Sequence, residues 1–234
     1  MIENEVKCIA FLPCRKGSER VKQKNTRRFA DVDDGLISIK LRQLLTVAEI
    51  DEIFLSTNDE KIIEYAVELN EPRIIIDRRE EELCSSATST DSLIKYVSEN
   101  IANSVILWTH VTSPFISAKI YSAAIANYCE QVLCGEFDSL MTVNQIQKFI
   151  WNENSPVNYD RGVEKWPRTQ TLPALYEVNS GIFMAHTDVY RKLGDRIGEK
   201  PYLMKIHDLV SFDIDWEENW IIAEQMYLKN ISDV

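Results

Sequence analysis

The first two thirds of the chain alternate two patterns of hydrophobic positions. One is a short apolar run, as in a buried strand, and it recurs at 7–13, 50–57, 73–77, 104–109 and 138–144. The other has an apolar residue at every third or fourth position, as on one helix face, at 36–48, 60–69, 89–101 and 117–128. This alternation predicts a mostly parallel sheet with helices on both faces, which is a three-layer, Rossmann-like α/β fold.

The pattern changes after residue 145. Several prolines and polar turns interrupt residues 145–175, and we predict there a small, β-rich arm that protrudes from the sheet. Beyond the arm, the sequence predicts strands at 176–186 and 211–215 and a closing helix at 216–227. Because no repeat or linker divides the sequence, we expect a single domain over 1–234.

The overall charge narrows the classes of partner. The 234 residues carry a net charge of −11, so a basic surface for nucleic acid is not expected. No apolar stretch approaches the roughly 20 residues that span a bilayer, and the first residues do not have the pattern of a signal peptide. We therefore expect no membrane partner and a cytoplasmic location. The five cysteines are scattered, as expected of reduced thiols in that compartment.

A basic loop follows the first predicted strand. Seven Lys and Arg side chains fall between Arg15 and Arg28, with a single acidic residue among them. The loop has neither the G-x-G-x-x-G nor the G-x-x-x-x-G-K-[ST] spacing of nucleotide-binding loops. On an acidic protein, a local cationic loop favours a small polyanion as ligand. Arg15, Arg20 and Lys24 have the chemistry to surround a triphosphate, and Ser18 adds a donor. A solvated surface loop is the alternative interpretation.

Polar side chains also mark other segments expected at the ligand-binding edge of the sheet. Asp213 and Asp215 alternate in the predicted strand 211–215, so their carboxylates would share one face. Two such carboxylates can hold Mg²⁺, which prefers oxygen ligands and shares substrate phosphates, although a solvated strand end has the same pattern. His110 follows a buried strand in HVTSPF, where a structural histidine is the alternative. Glu177 alternates with apolar residues in YEVNSGIF, as an exposed strand face also does.

Five segments, in order, resemble motifs of the acylneuraminate cytidylyltransferase family, the CMP-sialic acid synthetases. PCRKGSERVKQKN resembles the family's P-A-R-x-G-S-x-x-x-x-x-K-N, and HVTSPF resembles Q-P-T-S-P-L. RREEELCSSATSTD resembles R-P-x-E-L-A-x-D-x-(A/S)-x-x-x-D. PRTQTLPALYEVNSGIF resembles R-R-Q-x-L-P-x-x-Y-x-x-N-G-A-I-Y, and SFDIDWEENWIIAE resembles S-x-D-I-D-T-x-E-D-x-x-x-A-E. The resemblance covers roughly residues 7–227.

The resemblance implies an enzyme that transfers CMP from CTP to the anomeric hydroxyl of a nonulosonic, sialic-type sugar acid and releases pyrophosphate. It implies CTP-binding residues at Arg15, Ser18, Lys24, Asn25 and Arg79. It further implies Mg²⁺ as cofactor, held by Asp213 and Asp215. The catalytic residues would be this aspartate pair together with Arg15 and Lys24, which contact the phosphates.

The resemblance also implies an acceptor pocket and an assembly. The residues expected to line the sugar-acid pocket are His110, Arg168, Gln170, Glu177 and Asn179. Arg168 would pair with the carboxylate of the substrate. The arm at 145–175 would correspond to the family's dimerisation arm, so a homodimer is expected in which each arm reaches the partner's active site.

Departures from the family pattern concentrate on the sugar side, where His110 replaces a glutamine and Val111 a proline. The closest enzymatic alternative is a synthetase for the eight-carbon acid Kdo, because R-x-G-S-x-R in the opening motif also resembles that family. A catalytically silent nucleotide-binding protein on the same fold is a further alternative. Retention of both the phosphate-binding and the metal-binding residue types argues against it.

Overall fold

A computed structural model describes residues 6–229, so residues 1–5 and 230–234 of the predicted domain lie outside the described part. One seven-stranded sheet organises the chain, in the order β3-β2-β1-β4-β6-β5-β7. The strands are β1 Lys7–Cys14, β2 Glu52–Thr57, β3 Ile74–Arg78, β4 Ser104–Thr109, β5 Ser139–Ile146, β6 Leu175–His186 and β7 Pro201–Lys205. The helices are α1 Gly35–Thr46, α2 Glu60–Leu69, α3 Thr90–Asn100, α4 Ala118–Tyr128, α5 Thr187–Leu193 and α6 Glu217–Leu228.

The direction of the strands confirms the predicted fold class. Strands β3, β2, β1 and β4 pair in parallel, and β7 pairs in parallel with β5. Strand β6 alone runs antiparallel to both of its neighbours, β4 and β5. The carboxyl ends of the other six strands therefore meet at one edge of the sheet, and the amino end of β6 joins them there.

Helices cover both faces of the sheet and complete three layers. On one face, Leu41 of α1, Ala124 of α4 and Trp220 of α6 belong to the larger apolar core. On the other face, Ile94 of α3 and Tyr190 of α5 pack against the opposite side of the same strands in a second core. Successive residues of a strand point to opposite faces of the sheet. Because both faces are covered by helices, the central strands have near-continuous apolar runs.

Local capping sets several helix boundaries close to their predicted positions. The Asp59 side chain accepts a hydrogen bond from the backbone N–H of Lys61 at the start of α2, and Ser89 caps α3 through the N–H of Ser92. Helix α2 ends at Asn70, which adopts the left-handed conformation with φ of 48°. Helix α5 and strand β7 were not predicted.

Two predictions of strand structure were wrong. Residues 211–215 form no strand, because their backbone pairs at a single point, where the N–H of Ile214 donates to Thr112 O at 2.9 Å. Between β5 and β6, the described backbone has only an isolated bridge from Trp151 to Pro156 and a 3₁₀ turn at Thr169–Thr171. Side chains replace ladder bonds in this arm, as where Asn158 bonds both Ile150 N and Lys148 O.

None of the helices within residues 6–229 has the length and apolarity needed to cross a bilayer.

Candidate active site

A cleft of about 600 Å³ opens at the edge where the parallel strands end. Its walls include the loop after β1, the loop after β4, the middle of β6 and the segment before α6. This is the edge at which sheets of this class bind ligands. Of the twelve predicted site residues, the structure brings eight together around this cleft: Arg15, Ser18, Lys24, Asn25, Arg79, His110, Asp213 and Asp215.

The basic loop and the aspartate pair meet inside the cleft. A guanidinium nitrogen of Arg20 lies 2.9 Å from Asp215 Oδ1, and Lys24 Nζ lies 3.9 Å from the same oxygen. Lys24 Nζ also donates to the backbone carbonyl of Ile214 at 2.8 Å. These contacts join residues about 190 positions apart in the sequence. Cationic and anionic groups therefore share one surface, as a site for a metal-bound polyphosphate requires.

One buried residue orients the aspartate pair. Ile214 is fully buried, while Asp213 and Asp215 on either side of it line the cleft. The alternation that resembled a strand therefore reflects an extended loop anchored by one core side chain. Ser113 Oγ donates to Asp213 Oδ1 at 3.4 Å and connects this loop to the loop after β4.

The donor set around the aspartates fits Mg²⁺ shared with a substrate. Both carboxylates supply the hard oxygen ligands that Mg²⁺ prefers. Across residues 6–229, no group of three or more His, Cys, Asp or Glu side chains could hold a metal ion by itself. A magnesium ion at Asp213 and Asp215 would therefore complete its coordination with water and phosphate oxygens, which is the usual arrangement for this ion.

Two lysines under the cleft are strongly influenced by burial. Burial lowers the pKa of Lys24, and the carboxylates of Asp213 and Asp215 partly oppose that effect. Lys40 of α1 is fully buried, and burial lowers its pKa to about 7. Its Nζ donates to Ser113 O at 2.8 Å and to the Tyr121 hydroxyl at 2.7 Å. Lys40 thus braces the loop that contacts Asp213.

Arg79 forms the far wall of the cleft. The residue is 4% exposed, and its Nε donates to Cys84 Sγ at 3.2 Å. One of its terminal nitrogens, Nη1, is buried and has no hydrogen-bond partner within residues 6–229. The neighbouring Arg78 instead pairs with Glu60 at 2.6 Å and does not line the cleft. A buried, unpaired donor of this kind is suited to a polar ligand atom.

His110 is neutral and fixed in orientation. Burial, reinforced by the positive charge of Arg196, lowers its pKa to about 3. The indole N–H of Trp108 donates to His110 Nε2 at 3.2 Å, which leaves the ring proton on Nδ1. His110 can therefore donate a hydrogen bond from Nδ1, but its basic nitrogen is occupied.

Four predicted sugar-binding residues do not line this cleft. Arg168, Gln170 and Glu177 are exposed on the arm and at the start of β6. Asn179 is buried, and its side chain accepts from Thr142 Oγ1 and donates to Asn144 Oδ1, both at 2.7 Å. Asn179 therefore joins β5 to β6 and leaves little of its amide for a ligand.

The cleft also contains residues that sequence reasoning missed: Ser86, Thr90, Trp108, Ser180 and Arg196. Ser180 adopts a left-handed backbone conformation with φ of 56°, which is uncommon for a residue other than glycine and typical of functional sites. Trp108 ends a buried strand, so its apolar character hid its position at the rim. Arg196 lies in a short turn with no recognisable motif, and its charge within an otherwise ordinary loop was the only signal.

Solved structures show the same overall fold. The chain resembles CMP:2-keto-3-deoxy-manno-octonic acid synthetase complexed with CTP, with a TM-score of 0.65 and 14% identity, over 96% of this chain and 99% of that one. It also resembles 4-diphosphocytidyl-2C-methyl-D-erythritol synthase from Anaerococcus prevotii, with a TM-score of 0.64 and 16% identity, over 96% and 99% of the two chains.

Curated relatives share low sequence identity with the chain. Pseudaminic acid cytidylyltransferase of Campylobacter jejuni is 26% identical over 96% of this chain and 98% of its own length. N-acylneuraminate cytidylyltransferase of Streptococcus agalactiae is 24% identical over 92% of this chain. The chain spans about half the length of that streptococcal relative, 52% of which is covered.

The fold and these relatives agree with a comparison against models of protein families. The family model for cytidylyltransferases matches residues 9–225. The chain is a member of the cytidylyltransferase family, as its resemblance in sequence predicted.

Proposed function

We propose that this protein transfers CMP from CTP to the anomeric hydroxyl of a nonulosonic, sialic-type sugar acid and releases pyrophosphate. The observation that carries this proposal is the convergence of Arg15, Arg20 and Lys24 with Asp213 and Asp215 in one cleft. Family membership supplies the nucleotide, and relatives named for N-acylneuraminate and pseudaminic acid support the class of acceptor.

The chain's own residues position and neutralise the triphosphate. Arg15 and Lys24 would contact the phosphates of CTP and stabilise the negative charge that develops on the departing pyrophosphate. Arg79, through its unpaired Nη1, contacts the nucleotide, and Ser18 and Asn25 of the same cleft add further polar contacts. Held this way, the α-phosphorus and the acceptor hydroxyl meet in a fixed orientation, which removes much of the entropic barrier.

The metal site supports the same reaction. Asp213 and Asp215 would hold Mg²⁺, and the ion would supply positive charge and Lewis acidity for the reaction. Bond making and breaking are simple: the acceptor oxygen bonds to the α-phosphorus, the bond from that phosphorus to pyrophosphate breaks, and the hydroxyl proton passes to water. His110 is not the general base, because its unprotonated ring nitrogen, Nε2, already accepts a hydrogen bond from Trp108. We assign His110 as a hydrogen-bond donor to the sugar acid.

The arm supports a homodimer. Val163 and Trp166 are 87% and 65% exposed, and Trp166 stacks edge-on with Phe149 in a cluster of aromatic rings. A patch of this kind on a protruding segment is suited to a second copy of the chain. Arg168 and Gln170 lie close to this patch in the sequence, so in the dimer they would approach the partner's cleft rather than their own.

A pyrophosphate-release assay with CTP and Mg²⁺ tests the proposal. We expect turnover with at least one of N-acetylneuraminic, legionaminic and pseudaminic acids. Activity with Kdo alone would favour the alternative acceptor, which the R-K-G-S-E-R segment from Arg15 to Arg20 also resembles. Absence of turnover with every acid, together with a thermal shift by CTP that Mg²⁺ does not change, would identify a silent nucleotide-binding protein.

A further inference from the structure

Arg196 lines the cleft, and the phosphate and metal contacts proposed above do not involve it. It follows α5 in the turn before β7, and its guanidinium carbon lies 3.6 Å from the ring centroid of Phe183 and 5.2 Å from that of Trp108. These two residues lie directly opposite each other on the paired strands β4 and β6. The guanidinium therefore rests on an aromatic floor at the β4–β6 side of the cleft.

The charge of Arg196 is not matched by any acid that the structure describes. Within residues 6–229, its guanidinium makes no hydrogen bond and no salt bridge, whereas Arg20 pairs with Asp215 and Arg27 with Glu217. The adjacent carboxylate of Asp195 accepts instead from the backbone N–H groups of residues 196 and 197, at 2.6 and 3.3 Å. Burial lowers the pKa of Arg196, because a cation taken out of water loses hydration, and the nearby Tyr190 and Asp195 only partly oppose that effect. An anion brought by a ligand would supply that missing partner.

The neighbours of Arg196 identify which ligand brings the anion. His110 lines the same cleft as Arg196 and Lys24 and lies close enough to both for their charges to lower its pKa. The cations at Arg15, Arg20 and Lys24 serve the triphosphate, and two of them already face Asp215. The anion at Arg196 therefore belongs to the second substrate. The guanidinium, packed over aromatic rings and without a protein partner within residues 6–229, keeps the planar pair of N–H groups whose bidentate bonding matches a carboxylate.

The geometry points to Arg196 as the residue that binds the carboxylate of the acceptor sugar acid, with the Nδ1–H of His110 as a donor beside it. This inference rests on the proposed function. It gives this role to a residue of the same chain, whereas Arg168, exposed on the arm, does not line the cleft of its own chain and would have to act from a partner. An enzyme built this way selects acceptors by their negative charge, whatever the rest of the sugar.

The test compares each sugar acid with its neutral amide. With whichever acid of the panel the wild-type enzyme uses best, Arg196→Met should raise the KM for the acid by about 10- to 100-fold, the loss expected for one charge-assisted contact. The KM for CTP should change by less than about threefold. The wild-type preference for the acid over its primary carboxamide should largely disappear in Arg196→Met, because methionine keeps the apolar stem but not the charge. Arg196→Lys should retain part of the preference.

Matched controls separate this inference from its rivals. Arg168→Met should leave the ratio of acid to amide unchanged, and a loss of preference in that variant but not in Arg196→Met would overturn the assignment. An unchanged ratio in a folded Arg196→Met enzyme would mean that Arg196 only packs on Trp108 and Phe183. If Arg196→Met does not fold, Arg196→Lys and Arg196→Gln provide the same ratio, and full preference in both would refute the proposal. Loss of the proposed function itself differs: the wild type would bind CTP and convert no acid.

Discussion

Arg20 and Asp215 form an ion pair of 2.9 Å in the cleft, between the loop that we propose for phosphate binding and a carboxylate that we assign to magnesium. Arg20 also lies over the ring of Trp216, 5.1 Å from its centroid. The guanidinium and a metal ion would compete for the same carboxylate. Because both side chains are about half exposed, the pair contributes only modestly to the free energy of the empty site.

Removal of Arg20 should therefore tighten binding of the metal alone. We expect Arg20→Met to bind Mn²⁺, as a probe for Mg²⁺, up to about fivefold more tightly in the absence of nucleotide, in line with exposed ion pairs of up to about 1 kcal/mol. Isothermal titration calorimetry measures this directly. Arg28→Met, which removes an arginine paired with Asp33 away from the cleft, is the control. Weaker Mn²⁺ binding by Arg20→Met than by the wild type would contradict competition at Asp215.

Asp213→Asn should abolish most of the turnover with less effect on CTP affinity. The substitution keeps the shape of the side chain but removes the charge that holds Mg²⁺, so we expect a fall of about 100-fold or more in the rate of pyrophosphate release. CTP binding, followed by thermal shift, should be retained because Arg15 and Lys24 remain. Glu217→Gln alters a nearby carboxylate that pairs with Arg27 outside the cleft, and it should stay close to wild type. A near wild-type rate in Asp213→Asn would remove the metal assignment.

Arg79 and Arg78 offer a matched pair for the nucleotide. Arg79→Met should raise the KM for CTP by about 10- to 100-fold, because it removes a buried donor that is free for the ligand. Arg78→Met should change it little, since Arg78 is exposed and pairs with Glu60. Steady-state kinetics with saturating acceptor distinguishes the two variants. Equal effects, or a larger effect of Arg78→Met, would show that the nucleotide binds elsewhere.

Lys40 should make the stability of the protein depend on pH. Its pKa falls from 10.5 to about 7 on burial, so between those values the unfolded chain binds more protons than the folded one. The free energy of unfolding therefore rises with pH across this window, by at most about 1.4 kcal/mol per pH unit. Urea denaturation between about pH 7 and 8.5 should show a flatter dependence for Lys40→Met than for wild type. Lys95→Met, at an exposed position on α3, should keep the wild-type slope, and identical slopes in all three proteins would contradict the argument.

The arm should control assembly. Val163→Glu and Trp166→Glu place a charge on the exposed patch, and we expect each to shift a homodimer toward monomer in analytical ultracentrifugation. Ile221→Glu adds the same charge at an exposed position on α6 and should leave the dimer intact. A wild-type protein that is monomeric at every concentration would refute the proposed dimer.

Hydrophobic periodicity predicted the elements up to β5 because each of them buries one face or both in a core, and burial of a face determines the spacing of apolar residues in the sequence. It failed at 211–215 for a physical reason. One buried side chain, Ile214, between two cleft-facing aspartates has the same alternation as a strand, but a single backbone hydrogen bond to Thr112 takes the place of a ladder there. It also failed in the arm, where hydrogen bonds from Asn158 take the place of a ladder that no alternation could have encoded.

Site residues that belong to sequence motifs could be predicted, whereas residues that only the fold brings to the cleft could not. Arg15, Lys24, Asp213 and Asp215 belong to recognisable segments, and the structure places all four in one cleft. Arg196 belongs to no such segment, and only the pairing of β4 with β6 brings the aromatic rings beneath it. Lys40 did leave a signal, since a lysine one position before Leu41 interrupts the apolar face of α1.

The antiparallel direction of β6 has a consequence for how the arm can vary. Because β6 runs against β5, the pair Ile146 and Leu175 closes the root of the arm beside the cleft. Both ends of the intervening segment are thus pinned by one hairpin, and its length can vary without moving any strand out of register. Natural variation or engineering could exchange this whole segment, and with it the surface that we propose for dimerisation, while the strands that carry the cleft stay untouched.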